Sequence, residues 1–167
     1  LGDAVENGAA CAMLTAAAEN PQGYGRVIRS ADGSVQAIVE QRDCSSEQAA
    51  VKEINASVYC FEVQALLSTS PFSNPRRMAA GLDNNRLVLL LAVLEKKAGL
   101  RFYDKDVYTN VVGGIRLDER ACDLAVAMCI AGAGADIALP PRTAILGELS
   151  LTGEVRPVNR LDKRIQE

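Results

Sequence analysis

The chain contains no histidine and no tryptophan, and only 4% of its residues are aromatic. Without histidine, a Ser-His-Asp triad and a histidine-ligated metal are excluded at once. With so few rings, the core must be built mainly from Ala, Val, Leu and Ile, which the 49% hydrophobic content can supply. The longest apolar run, Leu87 to Leu94, is far too short to span a bilayer, so no membrane partner is expected. No charge of one sign dominates. A net charge of -3 and a pI near 5.1 give no global case for nucleic acid, so any such contact needs a local basic patch.

Five cysteines are present: Cys11, Cys44, Cys60, Cys122 and Cys129. None forms a CxxC pair, and their number is odd. Buried free thiols in a reducing cytoplasm are therefore expected rather than disulfides or a metal site. The phosphate-loop pattern GxxxxGK[ST] is absent, and no cofactor or metal is expected. The chain starts at Leu1, without Met and inside a plausible element, and reads as a fragment.

What is present is a mixed α and β pattern. Cys11 to Ala16 reads as a buried strand, and Asn20-Pro21-Gln22-Gly23 as a turn. Gly25 to Arg29 and Val35 to Glu40 alternate on either side of Asp32-Gly33, the strongest hairpin signal in the chain. Ser45 or Ser46 caps a short helix through Val51, and Ser57 to Leu67 reads as one long strand. Ser68 to Asn84 is expected to be a loop. Asp83 or Asn84 then caps a helix whose Leu87, Leu90, Leu91, Leu94 and Ala98 share one stripe, with Lys96, Lys97 and Gly99 at its C-terminal end. Val107 to Val112 is a strand. A second helix is expected to open at Asp118 or Glu119 and run to about Ala131, deeply buried, with Leu124, Ala125 and Met128 on its inner stripe. Gly132, Gly134 and Pro140-Pro141 are expected to end it. Thr143 to Leu149 reads as a strand, Leu151 to Val158 as a hairpin around Gly153, and Leu161 to Glu167 as the start of a helix. The expected fold class is α/β, a mixed sheet with at least two packed helices.

From Glu62 onward a series of short runs carries a resemblance. They are Asn74-Pro75-Arg76-Arg77, Asn85-Arg86-Leu87, Leu91-Ala92-Val93-Leu94-Glu95-Lys96, Asp106-Val107-Tyr108, Gly113-Gly114-Ile115-Arg116-Leu117-Asp118-Glu119, Asp123-Leu124-Ala125, Gly147-Glu148 and Leu151-Thr152-Gly153-Glu154-Val155-Arg156. With their spacing, residues 62–167 resemble the Lon-protease-like C-terminal domain of the RadA/Sms family of bacterial DNA-repair ATPases. The resemblance implies a Lon proteolytic-domain fold, a ring-forming role beside a RecA-like ATPase, and work at branched DNA in recombinational repair. A Lon peptidase pairs a serine nucleophile with a partly desolvated lysine base. By register, Asp123 stands at the serine position and Asp162 at the lysine position, with Lys163 one residue on. Two carboxylates cannot carry out acyl transfer, so a pseudo-protease is expected and no catalytic residue is assigned. Two roles are open for Asp123: a capping or helix-surface carboxylate, or a group that holds a neighbouring arginine. For Arg76, Arg77 and Arg86 the alternatives are a solvated loop and helix end, or phosphate contact with DNA.

Residues 1–61 carry a different resemblance. Met13-Leu14-Thr15-Ala16, Asn20-Pro21-Gln22-Gly23-Tyr24-Gly25-Arg26-Val27, Ile38-Val39-Glu40-Gln41-Arg42-Asp43 and Glu53-Ile54-Asn55-Ala56-Ser57-Val58-Tyr59 are similar to an internal stretch of bacterial N-acetylglucosamine-1-phosphate uridylyltransferase, a Rossmann-like nucleotidyltransferase. The resemblance implies that Gly25, Glu40 and Asn55 contact the uridine-diphospho-sugar. Read without it, they are a hairpin glycine, a strand-end carboxylate and a turn asparagine. That family's phosphate loop and metal-binding residues have no counterpart here, so a degenerate, weakly binding pocket is expected. The whole reads as a chimera of two domains, joined near Phe61–Glu62 and cut short after Glu167. Its expected function is a non-catalytic, self-associating Lon-like scaffold in the cytoplasm, with weak DNA contact and weak UDP-sugar binding. The alternative is a uridylyltransferase fragment that keeps part of its UDP-N-acetylglucosamine pocket.

Overall fold

The computed structural model describes residues 11–140, 143–159 and 161, without the side chains of Ser57 and Val58. The chain divides into two compact units, the first running to Cys60 and the second beginning at Phe61.

The first unit is a four-stranded sheet. Its strands are β1 (Cys11–Ala17), β2 (Arg26–Arg29), β3 (Val35–Val39) and β4 (Glu53–Phe61), in the order β1-β4-β2-β3. β2 and β3 form the antiparallel hairpin expected from Asp32-Gly33, with Val27 opposite Ile38. Asp32 closes the turn by accepting from the Ser34 backbone N–H and the Ser30 hydroxyl. Ser45 caps the one-turn helix α1 (Ser46–Ala49) in a reciprocal capping box with Gln48. Arg26 is buried, and its guanidinium donates to the carbonyls of Ala49 and Tyr24, tying α1 to β2.

The second unit packs two helices on one face of a three-stranded mixed sheet. β5 (Val63–Thr69) pairs antiparallel with β7 (Lys105–Val111), and β6 (Arg77–Ala80) pairs parallel with β7 from the other side. The helices are α2 (Asn84–Ala98) and α3 (Asp123–Ala135). Val63, Ala65 and Leu67 of β5, Ala79 of β6 and Val107 of β7 meet Leu87, Leu90, Leu91, Val93 and Leu94 of α2 and Val126, Ala127 and Ile130 of α3. Phe102 and Leu149 complete this core. A small hairpin, β8 (Glu148–Leu149) with β9 (Val155–Arg156), lies beside α3. Mixed α/β structure is thus observed, as two sheets and a hairpin rather than one sheet.

Several boundaries differ from the sequence reading. Ser57 to Leu67 is not one strand: β4 and β5 break at Glu62 and join different sheets. The segment 68–84 is not all loop, because Arg77–Ala80 forms β6; parallel pairing with β7 overrides the weak strand propensity of Met and Ala. The second helix starts at Asp123 because the backbone before it is bonded elsewhere. Gly147 donates to the Ala121 carbonyl and accepts from Leu124 N–H, and Arg120–Cys122 form a 3-10 turn. That helix also runs through Gly132 and Gly134. Gly132 is required for close approach, since a Cβ there would lie 2.7 Å from the Ile137 carbonyl of the returning chain. The inner stripe of α3 is Asp123, Val126, Ala127 and Ile130, while Met128 is exposed; on α2, Ala98 is exposed and Val93 is buried in its place. The strand expected over Thr143 to Leu149 is confined to Glu148–Leu149. The helix expected from Leu161 falls almost wholly outside the described residues.

Candidate functional site

The N-terminal ends of α2 and α3 meet in the second unit, and the site is built where they do. Asp83 caps α2 by accepting from the Arg86 backbone N–H at 2.9 Å, which fixes the first turn and the position of the Arg86 side chain. Across the gap, Asp123 is the first residue of α3 and is 3% exposed. Arg86 Nε donates to Asp123 Oδ1 at 2.7 Å and Arg86 Nη2 donates to Asp123 Oδ2, a two-pronged ion pair. The same Nη2 donates to the Leu149 carbonyl at 3.2 Å, while Leu149 N–H donates to Asp123 Oδ2 at 3.2 Å. The pair therefore ties α2, α3 and the β8–β9 hairpin into one knot. The hydrogen bond to Asp123 is the main cause that raises the Arg86 pKa above its ordinary value, so the guanidinium stays charged.

Beside the knot lies a cleft of about 210 Å³ lined by Leu82, Asp83, Leu89, Leu117, Arg120 and Asp123, among others. The hydroxyls closest in sequence to Leu149 are already used within the hairpin turn. Ser150 Oγ lies 2.7 Å from Thr152 Oγ1 and accepts from Glu154 N–H, and Thr152 donates to Glu154. Asp123 thus takes the second of the two roles open to it and holds an arginine. Asp162 and Lys163 lie outside the described residues. Among the described residues no group of His, Cys, Asp and Glu could hold a metal ion, and none of the five cysteines is joined in a disulfide.

The three arginines of the sequence reading separate. Arg86 is committed to Asp123, with 14% of its side chain exposed, so its guanidinium is not spare for phosphate. Arg77 turns its guanidinium inward onto the carbonyls of Lys105, Phe102 at 2.6 Å and Arg76 at 3.0 Å. Only Arg76 stays exposed, its guanidinium stacked 4.7 Å from the centroid of the Phe72 ring. The loop that carries it is anchored by buried Asp106, which accepts from Arg76 N–H at 2.8 Å. That bond, with the Ser70 hydroxyl, holds the Asp106 carboxyl below the ordinary carboxylate pKa. The sequence reading named Asp106 only within a run that carries the resemblance and gave it no role, and it did not name Phe72.

In the first unit, Gly25, Glu40 and Asn55 come together from three different segments. Asn55 N–H donates to the Gly25 carbonyl at 2.9 Å. A Cβ on Gly25 would lie 3.3 Å from Glu40 Oε1, so glycine leaves room for that carboxylate. The Asn55 amide donates to the Tyr59 hydroxyl. Burial raises the Tyr59 pKa, opposed by the Asn55 hydrogen bond, and Cys11 and Glu40 add to the rise. Tyr59 is a fourth member that the sequence reading did not single out.

Among the described residues no helix is long and apolar enough to cross a membrane. No family model matches the chain. The DNA repair protein RadA of Halalkalibacterium halodurans is 51% identical over 106 residues, which is 64% of this chain and 23% of that protein. The RadA proteins of Bacillus subtilis and Streptococcus pneumoniae are each 50% identical over 106 residues, 23% and 25% of their respective lengths. The chain spans about a quarter of the length of these curated relatives, and the larger part of it is homologous to DNA repair protein RadA.

Proposed function

We propose that the second unit is a Lon-protease-like module without peptidase activity, which serves assembly and DNA association in a RadA-related protein. The observation that carries this reading is the Arg86–Asp123 pair. By the register of the resemblance, Asp123 stands where a peptidase needs its serine, and its carboxylate is fully occupied by a guanidinium and a backbone N–H. A carboxylate so held is neither a nucleophile for acyl transfer nor free to act as a base. A self-associating module is supported by the open face of the three-stranded sheet. Leu66, Tyr108 and Met78 form a row across it, with Leu66 64% and Met78 56% exposed. The outer edge of β5 offers backbone groups for pairing, whereas on β6 the Ala79 N–H already donates to the Asn84 side chain at 2.9 Å. Light scattering at high micromolar concentration tests this: a dimer or larger species is expected, and a strict monomer contradicts it.

A second reading concerns the first unit, and the convergence of Gly25, Glu40 and Asn55 favours it. This unit keeps part of a UDP-N-acetylglucosamine pocket, Glu40 accepting from sugar hydroxyls and Asn55 donating and accepting. The sequence holds no glycine-rich phosphate loop, and lost charge-assisted phosphate contacts cost several kcal/mol, so a Kd weaker than about 1 mM is expected. Ligand-observed NMR with UDP-N-acetylglucosamine is expected to show weak binding that Asn55→Ala abolishes. Micromolar affinity contradicts a degenerate pocket, and absence of any signal contradicts the pocket.

A further inference from the structure

We infer that the end of the three-stranded sheet at the start of β7 is a surface for single-stranded nucleic acid, with bases stacked on Phe72 and Tyr103 and phosphates held by Arg76, Arg101 and Lys105. The inference rests on the reading of the second unit as a DNA-associated module and assigns the residues that would do the work.

Two loops meet at this end. One joins β5 to β6 through Ser70, Phe72 and Arg76, and the other leads from α2 into β7 through Arg101, Phe102, Tyr103 and Asp104. They are stitched together by backbone groups. Ser70 N–H donates to the Asp104 carbonyl at 2.8 Å, Arg76 N–H to Asp106 at 2.8 Å, and the Arg77 guanidinium to the Phe102 carbonyl at 2.6 Å. Arg77 and Asp106 are spent in fixing the loops, and what the loops present is left outside. Phe72 is 52% and Tyr103 69% exposed, and both are rings that a core would have taken up had they been placed to join it. Phe102, between Arg101 and Tyr103, is 2% exposed in the core, so Tyr103 is turned outward by its neighbour's anchoring.

The charge at this end runs against the net acidity of the chain. Arg76 and Arg101 are exposed and Lys105 half-buried, its Nζ 3.4 Å from Thr69 Oγ1. Of the nearby carboxylates, Asp106 is buried and hydrogen-bonded, Glu95 accepts from Phe102 N–H, and Asp104 is exposed. Exposed rings interleaved with cations are the combination by which proteins hold unpaired strands. Each base offers a π-face to a ring, and the cations follow the backbone. A duplex hides its base faces and uses only the cations. The guanidinium of Arg76 lies over the Phe72 ring, 4.7 Å from its centroid, which places a phosphate-binding cation beside the stacking ring.

The test is fluorescence anisotropy of the full chain with a labelled oligothymidylate and with a hairpin duplex, across a salt series. The single strand is expected to bind more tightly than the duplex. Its log–log salt slope should be about 2, from three phosphate contacts at roughly 0.7 each. Phe72→Ala and Tyr103→Ala should each weaken single-strand binding by about 5- to 150-fold, from ~1–3 kcal/mol of stacking per base, without changing the slope. Tyr103→Phe should bind like the parent, and Arg76→Ala should lower the slope. Because both rings are exposed, the alanine variants are expected to keep the parental thermal midpoint, which makes loss of binding readable. Alanine variants that bind oligothymidylate within twofold of the parent overturn the inference. Salt-dependent binding of duplex alone, indifferent to Phe72 and Tyr103, overturns it but leaves the DNA-associated reading standing. No binding of either DNA at low salt overturns both.

Discussion

Removing one half of the Arg86–Asp123 pair is expected to be among the most damaging single changes in the second unit. Asp123 is 3% exposed and accepts three hydrogen bonds, two from Arg86 and one from Leu149 N–H. In Asp123→Ala, the Arg86 guanidinium stays 14% exposed with the Leu149 carbonyl as its remaining acceptor in the knot. An uncompensated buried charge of this kind costs about 3–5 kcal/mol, against about 0.2–1 kcal/mol for a solvent-exposed pair. Since domains are stable by only about 5–15 kcal/mol, such a loss is a large part of the total. The double variant Arg86→Met/Asp123→Leu removes both charges at similar volume. It is expected to be close to the parent or more stable by up to ~4 kcal/mol, because replacing a buried pair by apolar groups also removes its desolvation cost. Urea unfolding followed by far-UV circular dichroism reads this, because α2 and α3 supply most of the helical signal. Single variants that cost under about 1 kcal/mol, or a double variant that costs the sum of the two singles, would refute the reasoning, because either result would mean that the pair behaves as a solvated one.

Three further outcomes are expected. Leu91→Ala, at a position 4% exposed in the core, should cost roughly 2–5 kcal/mol, and an unchanged urea midpoint would place that face of α2 in solvent. Thr109→Val should stabilise the second unit by about 1 kcal/mol, since the Thr109 hydroxyl is buried with no hydrogen-bond partner among the described residues; a lower midpoint would mean that the hydroxyl is satisfied. In the first unit, the hydrogen bonds from Arg29, with a further one from Thr15, hold the Glu53 pKa at about 2. The unfolded value is higher, so the contribution of this group is fully present above about pH 4.5 and is lost as the pH falls toward 2. Glu53→Gln should flatten the acid limb of the stability curve in that window, and an identical limb would show that the pair is screened out.

How much of this was legible in the sequence depended on whether the signal was local. The β2–β3 hairpin announces itself through Asp32-Gly33, α1 through the Ser45 cap, and α2 through Asp83 and the left-handed Gly99 at its end. Each of those cues acts within a few residues. The misread elements were decided by distant partners. Arg77–Ala80 is a strand only because β7 offers it a parallel edge. The start of α3 is delayed by pairing with Gly147, and the glycines within α3 mark the returning chain rather than an end. The same distinction governs the sites. Asp123 was marked out by register alone, but that its neighbouring arginine is Arg86 follows only from the crossing of two helix ends that lie 37 residues apart. The sequence equally could not tell which arginines face outward, since Arg77 and Arg86 are consumed by carbonyls and a carboxylate supplied from other segments. Phe72 and Tyr103 carried no periodic signal, because loop residues have none.

The central claim is that the Arg86–Asp123 knot stands in place of a peptidase nucleophile, and incubation of the intact chain with a fluorescent unfolded protein tests it most directly. No turnover is expected from the parent chain, from Asp123→Asn or from Lys163→Ala. Proteolysis that persists through purification of the parent and disappears in either variant would contradict the claim.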